Sequence, residues 1–173
     1  MKLKKYEFKK INSTNDVAIR KIKSGANIGV VIAEKQTKGR GRYGNKWISI
    51  KGNLFMTFFF QIKDNMNLKE LTIKNCKIIK SSLQKLTKYK ITIKPPNDLL
   101  INKEKICGVL QETFFRNKKK FLLVGIGLNL VQSPKIKNYP TNYLNNYTFK
   151  KVNKSMVFKS IKNLYEKEIK YLK

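Results

Sequence analysis

With 173 residues, the chain is long enough for one domain with its own core and too short for a multidomain assembly. Its 39 Lys and Arg residues against 10 Asp and Glu give a net charge of +29, which would attract nucleic acid or an anionic membrane at low salt. All but four of these cations are lysines, and Asn, Ile, Tyr and Phe are also abundant. We therefore interpret the charge as a compositional bias of the genome. The absence of histidine excludes Ser-His-Asp and Cys-His catalysis and most zinc sites.

Neither the cysteines nor the N-terminus indicates export. Cys76 and Cys107 are far apart and predict neither a disulfide framework nor a metal clip, which fits a reducing cytosol. The first ten residues, MKLKKYEFKK, lack the apolar stretch of an export signal. The longest apolar run, residues 54–60, is about a third of a membrane span and predicts a buried strand. We expect a cytoplasmic protein with no membrane partner.

Three helices are predicted from apolar residues at helical spacing. They span residues 13–23, 68–86 and 155–172. Ser13 or Thr14 would cap the first helix, and Gly25 follows its end. Asn67 and Glu70 resemble a capping box at the start of the second.

Strands are predicted where short apolar runs lie between the helices. They span residues 29–33, 54–62, 91–94, 98–101, 106–115 and 121–131. Several of these runs follow one another with no helix between them, which indicates antiparallel pairing, and residues 116–120 predict a hairpin. The expected fold is α+β, with a mixed, largely antiparallel sheet backed by helices. No linker or repeat divides the chain, so residues 1–173 are predicted to form a single domain.

The segment QTKGRGRYGNKW, residues 36–47, has the composition of a ligand-binding loop. Three glycines let the backbone turn and approach a ligand, while Arg40 and Arg42 can each fork onto phosphate or carboxylate oxygens. Trp47 adds a flat surface on which a ring can stack. The same composition also fits a solvated surface loop or an RNA-binding patch. It lacks the ending of a Walker loop and matches a dinucleotide fingerprint only weakly.

A second polar segment, KPPNDLLINKEKICGVLQE, covers residues 94–112. Two prolines force an extended backbone before Asn97 and Asp98 at the start of a strand. Lys105 follows a tight turn, and Gly108 marks a place where a ligand can lie close over the sheet. In so lysine-rich a chain, Lys105 also fits a solvated hairpin lysine.

Taken in order, these segments resemble the biotin protein ligases, also called biotin acetyl-CoA-carboxylase ligases. Ser13, Thr14 and Asn15 resemble the family's first biotin-contacting turn, and GRGRYGNKW resembles its biotin and adenylate loop. KPPNDLL, KICGVLQE and VGIGLNL resemble three further signatures of the family. The resemblance runs over residues 6–131 and implies the class II synthetase-like catalytic fold of biotin and lipoate ligases.

The resemblance implies an ATP-dependent enzyme that forms biotinyl-5'-AMP from biotin and ATP. Biotin then passes to a lysine of a biotin carboxyl carrier protein, the acceptor subunit of acetyl-CoA carboxylase, with Mg²⁺ as a cofactor. The implied biotin-binding residues are Ser13, Thr14, Asn15, Gln36, Arg40, Gly41, Arg42 and Lys105. The implied nucleotide-binding residues are Trp47, Asn97, Asp98 and Asn129, with Asn97 and Asp98 in the part linked to magnesium. The implied catalytic residues are Lys105, Arg40 and Arg42.

The sequence departs from the family pattern at two positions. Pro95 stands where the family usually has tryptophan, which puts aromatic packing beside the nucleotide in question, and Asn45 replaces a common arginine of the phosphate side. We expect the catalytic domain alone, without a preceding helix-turn-helix domain or a following small β-barrel domain. This expectation excludes a repressor that binds specific nucleic acid and leaves open a homodimer formed through the sheet.

Three other functions remain open. A lipoate or octanoate ligase-like transferase is thought to share the fold, although GRGRYGNKW favours biotin. A basic nucleic-acid-binding module would use the charge of +29 but would leave the other motifs without a role. A decayed ligase that folds but turns over slowly is the third.

Overall fold

The computed structural model describes residues 2–172. These residues form three α-helices, seven strands and two short 3₁₀ helices. The helices are α1 (Thr14–Lys23), α2 (Leu68–Gln84) and α3 (Lys154–Leu172). The strands are β1 (Lys5–Ile11), β2 (Ile28–Gln36), β3 (Leu54–Ile62), β4 (Thr92–Lys94), β5 (Asp98–Ile101), β6 (Glu104–Arg116) and β7 (Lys119–Leu128). The 3₁₀ helices are Arg42–Gly44 and Leu144–Tyr147.

The strands form one sheet in the order β1-β2-β3-β7-β6-β5-β4. β1 and β2 run parallel, and every other neighbouring pair runs antiparallel. The prediction of a mixed, largely antiparallel sheet backed by helices is therefore confirmed. The three predicted helices are confirmed as well, with ends that differ by up to two residues.

β1 was not predicted. In this strand, the half-buried aromatic residues Tyr6 and Phe8 alternate with exposed charged residues. This alternation covers too few residues to predict a strand. The segment lies at the edge of the sheet, where charged side chains are common because only one side of the strand is paired.

Two-residue turns connect β5 to β6 and β6 to β7. Asn102 and Lys103 have φ angles of 49° and 66°, and Asn117 and Lys118 have φ angles of 47° and 59°. Two successive positive φ angles are the signature of a type I′ turn, whose twist matches that of the paired strands. The hairpin predicted at residues 116–120 is confirmed, and the β5–β6 turn sets the start of the strand that carries Lys105.

The predicted side-chain capping is present at the start of α2 but not at the start of α1. Asn67 Oδ1 accepts hydrogen bonds from the backbone amides of Lys69 and Glu70 at 3.0 and 3.3 Å. Asn67 Nδ2 donates to Glu70 Oε1 at 2.9 Å, so the two side chains contact each other directly. Ser13 is the N-cap of α1 but makes no capping hydrogen bond with its side chain, and Gly25, with a φ of 102°, follows the end of that helix.

The two faces of the sheet are covered differently because side chains of a strand alternate between faces. The main core lies under α2 and α3 and contains, from β7, Leu122, Val124, Ile126 and Leu128. The other face packs against α1 and contains Phe121 and Leu123. Continuing along that face in steps of two, β7 presents Gly125 and Gly127. The α1 face therefore changes from bulky residues to glycines, which leaves room above the sheet.

Among residues 2–172, no helix combines the length and the apolar character of a membrane span. Cys76 and Cys107 are both buried and unpaired thiols.

Candidate functional site

A cavity of about 480 Å³ opens above the glycines on the α1 face of the sheet. Its volume lies within the range of small-molecule sites, which is roughly 300–1,000 Å³. All the residues predicted to bind ligand line this one cavity: Ser13, Thr14, Asn15, Gln36, Arg40, Gly41, Arg42, Trp47, Asn97, Asp98, Lys105 and Asn129. Predicted residues up to 116 positions apart in sequence, Ser13 and Asn129, thus line the same cavity.

Residues 13–15 form the polar α1 end of the cavity. Ser13, Thr14 and Asn15 are 3%, 4% and 2% exposed. The backbone amide of Thr14 donates to Gln36 Oε1 at 2.8 Å, and the Thr14 hydroxyl lies 3.0 Å from the same oxygen. Because the Ser13 side chain does not cap α1, its hydroxyl remains available to the cavity. The α1 end of the cavity therefore holds several hydrogen-bonding side chains away from solvent.

Thr57 is a neighbour of this end that sequence analysis missed. It lies opposite Gly125 in the β3–β7 register and is fully buried. Its hydroxyl is 2.8 Å from Thr14 Oγ1 and 2.5 Å from Asn15 Oδ1. The available signal was its position as the one hydroxyl residue in the apolar run of residues 54–60.

Glu112 connects the α1 end to the glycine-rich loop. Asn15 Nδ2 donates to Glu112 Oε2 at 2.6 Å, and Arg40 Nη2 lies 3.3 Å from the same oxygen. Arg40 Nη1 also pairs with Asp16 Oδ1 at 2.7 Å. Burial lowers the pKa of Arg40, but the hydrogen bond to Asp16 and the charge of Glu112 outweigh it and raise the pKa. The Arg40 guanidinium is thus held by two carboxylates and anchors the start of the loop beside α1.

The rest of the loop folds back on itself. The Gly41 amide donates to the Asn45 carbonyl at 2.7 Å, and Gly44 has a φ of 76° that favours glycine. Arg42 Nη2 donates to the hydroxyl of Tyr43 at 2.8 Å, and its guanidinium lies 4.7 Å from the centre of that ring. Tyr43 is 87% exposed, so this pair lies at the open side of the cavity.

Trp47 lies directly on the glycines of the floor. A Cβ atom at Gly127 would come within 2.3 Å of the indole, and one at Gly108 within 2.8 Å. Only residues without a side chain allow the ring this position. The indole Nε1 is buried and has no hydrogen-bond partner among the described residues. The flat surface predicted for Trp47 is therefore part of the cavity wall.

Lys105 lies deeper in the cavity than a hairpin lysine would. Its Nζ is 2.9 Å from Asp98 Oδ1, and the two side chains are 19% and 14% exposed. Asp98 Oδ2 accepts a hydrogen bond from Tyr139 at 2.6 Å. Burial, together with this bond to Asp98, raises the pKa of Tyr139. The Lys105 side chain passes over Gly108, whose absent Cβ would lie 3.3 Å from Nζ. The solvated alternative for Lys105 does not fit this burial.

The two asparagines of the predicted nucleotide side differ in their contacts. Asn97 Nδ2 donates to the Val109 carbonyl at 2.8 Å and so fixes the loop before β5 to β6. Asn129 Nδ2 donates to the Asn142 carbonyl at 3.2 Å. Asn129 Oδ1 is buried without a partner among residues 2–172, which leaves an acceptor for a ligand.

Within those same residues, no group of three His, Cys, Asp or Glu side chains is placed to hold a metal ion. Sequence analysis found twelve of the residues that line the cavity but missed three others: Thr57 and Glu112, which support the cavity, and Tyr139, which also lines it. Their contacts join positions 42, 97 and 41 residues apart. Only KICGVLQE, which ends in Glu112, drew attention to one of them.

Comparison with known proteins gives a consistent result. The model of the biotin/lipoate A/B protein ligase family matches residues 7–129. The chain is 32% identical over 126 residues to biotin–protein ligase 2 of Arabidopsis thaliana, which covers 69% of this chain and 38% of the relative. It is 30% identical over 130 residues to the biotin–acetyl-CoA-carboxylase ligase of Mycobacterium tuberculosis, which covers 70% and 47%. The chain thus spans less than half of the length of these relatives.

The fold is similar to that of a solved ligase. The biotin protein ligase from Aquifex aeolicus, in complex with biotin and ATP, superposes with a TM-score of 0.80 at 27% identity and covers 96% of this chain and 70% of that one. The predicted catalytic fold of biotin and lipoate ligases is therefore confirmed. The chain belongs to the biotin/lipoate A/B protein ligase family.

Proposed function

We propose that the chain is the catalytic domain of an ATP-dependent biotin protein ligase. It would form biotinyl-5'-AMP from biotin and ATP and pass the biotinyl group to a lysine of a biotin carboxyl carrier protein, such as that of acetyl-CoA carboxylase. The supporting observation is the shared cavity, in which a buried polar end, a half-buried lysine and an unpartnered acceptor follow one another.

The α1 end suits the ureido ring of biotin. That ring carries N–H donors and a carbonyl acceptor, and the end offers the side chains of Ser13, Thr14, Asn15 and Gln36. A purely hydrocarbon tail or a dithiolane ring would displace water from this end without replacing its hydrogen bonds, at a cost of about 1–3 kcal/mol for each hydrogen bond lost. The polar end therefore favours biotin over lipoate or octanoate.

Lys105 would act where negative charges meet. In the first step a carboxylate oxygen of biotin attacks the α-phosphorus of ATP, and the bond to pyrophosphate breaks. Both reactants are anionic, so a fixed ammonium group in a half-buried site lowers the barrier by charge stabilisation and positioning. Lys105 then exchanges part of its contact with Asp98 for the oxygens of the substrates.

The arginines of the loop would close the site. Arg40 holds the loop start to α1 through its two carboxylates, and it contacts the ligand by releasing one of them. Arg42 has no carboxylate partner among the ion pairs of residues 2–172, and it lines the same cavity as Lys105. A closed loop also keeps water from the mixed anhydride.

The nucleotide side would use Trp47, Asn97, Asp98 and Asn129. The indole offers a stacking surface, and Asn129 Oδ1 offers a buried acceptor. The residues fit a magnesium ion that arrives with ATP, because such an ion takes most of its ligands from phosphates and water and needs only one or two carboxylates. Asp98 would supply that carboxylate, and the bound ion would neutralise phosphate charge.

In the second step the amine of the acceptor lysine attacks the acyl carbon, and AMP leaves with the electron pair of the broken C–O bond. The leaving group makes this step feasible without a histidine base, which agrees with the composition of the chain. The proton lost from the attacking amine passes to solvent or to the departing phosphate.

Exchange of labelled pyrophosphate into ATP tests the proposal directly. We expect exchange that depends on biotin and magnesium and that neither lipoate nor octanoate supports. Exchange driven by lipoate or octanoate, with none driven by biotin, would replace the proposal with the lipoate ligase alternative.

A further inference from the structure

The ion pair between Asp98 and Lys105 has a third member, Tyr139. Lys105 Nζ lies 2.9 Å from Asp98 Oδ1, and the Tyr139 hydroxyl donates a hydrogen bond to Asp98 Oδ2 at 2.6 Å. The two oxygens of one carboxylate therefore have different partners. Tyr139 lines the cavity from the segment that follows β7, outside every motif that the sequence revealed.

The main chain also fixes Tyr139 relative to Lys105. The Lys105 amide donates to the Pro140 carbonyl at 2.9 Å, and the Asn142 amide donates to the Lys105 carbonyl at 3.0 Å. Lys105 and Thr141 thereby form a parallel bridge. Because these bonds begin at the residue next to Tyr139, the phenol is held beside the start of β6 by its backbone as well as by Asp98.

The backbone that leads into Asp98 is fixed as well. The Val109 amide donates to the Asn97 carbonyl at 2.9 Å, and Asn97 Nδ2 donates to the Val109 carbonyl at 2.8 Å. The main freedom left to Asp98 is therefore rotation of its side chain, and the last torsion of a carboxylate is broad. The hydrogen bond from Tyr139 restricts that rotation.

Two aromatic rings further limit where the Lys105 ammonium can lie. Its Nζ is 5.5 Å from the centre of the Tyr139 ring and 5.4 Å from that of Trp47. Both distances are within the roughly 6 Å over which an aromatic face attracts a cation. Asp98, Tyr139 and Trp47 all line the cavity, so these three contacts keep the ammonium at the cavity wall.

We propose that Tyr139 is a positioning residue, whose hydroxyl holds the Asp98 carboxylate so that only one of its oxygens pairs with Lys105. The inference rests on the proposed function, in which Lys105 stabilises the negative charges of the biotin carboxylate and the α-phosphate. An ammonium group carries three N–H donors. An ion pair with a single carboxylate oxygen leaves donors of Lys105 for the oxygens of the substrates.

Tyr139→Phe removes the hydroxyl and keeps the ring. Asp98 Oδ2 then loses its donor, in a side chain that is only 14% exposed. Because a buried acceptor without a partner is costly, the carboxylate turns and shares the Lys105 ammonium between both of its oxygens. Lys105 is then bound more tightly to Asp98 and is less available to the substrates.

Biotin-dependent exchange of labelled pyrophosphate into ATP tests this on the full chain, over a range of biotin and ATP concentrations that separates kcat from KM. We expect Tyr139→Phe to lower kcat about tenfold, the scale of one hydrogen bond to a charged group. KM for biotin and for ATP should stay within about twofold of the wild type, since the ureido and nucleotide contacts lie elsewhere. A wild-type kcat in this variant, or a loss confined to KM, would overturn the proposal.

The same substitution in the Lys105→Met chain distinguishes positioning from damage to the fold. A residue that acts through Lys105 has nothing to position once the ammonium is gone, so Tyr139→Phe should change the remaining exchange rate less than about twofold. A second tenfold loss would show that Tyr139 acts independently of Lys105, and that result would overturn the proposal.

Tyr143→Phe is the matched control in the same segment. Within residues 2–172, Tyr143 is not part of the cavity wall and makes its hydrogen bonds through its backbone. It should exchange at the wild-type rate, with thermal unfolding showing that each variant is folded at the assay temperature. An equal loss in both variants would assign the effect to the segment and overturn the role of the Tyr139 hydroxyl. A wild-type chain that shows no biotin-dependent exchange would instead refute the proposed function, so the two failures are distinguishable.

Discussion

Replacing Lys105 by methionine removes one positive charge from the cavity while keeping most of the length of the side chain. The 2.9 Å ion pair with Asp98 disappears, and the remaining carboxylate is only 14% exposed. Tyr139 still donates a hydrogen bond to Asp98 Oδ2, so one of the two oxygens keeps its partner. The substitution therefore perturbs both catalysis and stability, and the two effects can be separated.

The stability effect is moderate. At an effective dielectric constant of about 20, two unit charges at this separation attract each other by about 6 kcal/mol, and the desolvation of both groups offsets most of that energy. We expect the free energy of unfolding to fall by about 1–3 kcal/mol, the usual result of removing one partner of a buried polar pair. The variant then remains folded, because a domain of this kind is stable by roughly 5–15 kcal/mol.

The effect on the reaction is larger. Loss of one preorganised charge-stabilising group raises a barrier by about 3–4 kcal/mol, so biotin-dependent pyrophosphate exchange should slow by about 10²- to 10³-fold. Lys159→Met, at an exposed position on α3, removes the same charge away from the cavity and serves as the control. Exchange by Lys105→Met at the rate of that control, in protein shown to be folded, would remove Lys105 from the mechanism.

Three further predictions follow from other residues. Arg42→Gly should open the loop and release activated biotin, measured as labelling of bystander proteins in the presence of biotin and ATP; unchanged labelling would contradict the role of the loop. Burial, aided by the charge of Asp98, raises the pKa of Cys76 to about 12, and burial raises that of Cys107 further. Neither thiol should then react with iodoacetamide in the folded protein at about pH 8, and both should react in denaturant; rapid alkylation of the folded chain would contradict the packing. Hydrogen bonds from neighbouring side chains, first of all that of Tyr147, lower the pKa of Glu104 below its usual value of 4.5. The ionised Glu104 carboxylate therefore stabilises the folded state above pH 4.5, and this stabilisation is lost as the pH falls through the lowered pKa. Glu104→Gln should therefore lose less stability than the wild type between neutral pH and acid in denaturant titrations, and identical pH profiles would show that this carboxylate contributes nothing.

The sequence predicts best where local pattern and tertiary packing agree. The helices and most strands have clear apolar spacing, and the hairpin at residues 116–120 contains the asparagine that its turn requires. β1 was not predicted because only two aromatic residues among lysines show its alternation of apolar and polar side chains. Its parallel pairing with β2 is a tertiary contact that the local sequence does not show.

The candidate site shows the same difference between residues marked by a local pattern and residues placed by tertiary contacts. The cavity residues that the sequence identified lie within recognisable segments, so resemblance to a family identified them, whereas Tyr139 lines the cavity from outside those segments. Thr57 and Tyr139 act through contacts with residues 42 or 41 positions away, and no local pattern records such a contact. The ion pairs of Arg40 with α1 and β6 were also missed, since a sequence does not show which of several carboxylates an arginine will reach.

The most direct test of the central claim is the mass of the purified chain under native conditions after incubation with biotin, ATP and magnesium. The cavity has a polar α1 end for the ureido ring, a lysine beside the reacting groups and a nucleotide side, so it should retain the biotinyl-5'-AMP that it forms. We therefore predict a complex heavier than the chain by the mass of biotinyl-5'-AMP. No such complex should form when biotin is replaced by lipoate. A chain whose mass is unchanged after incubation with all three components would contradict the account.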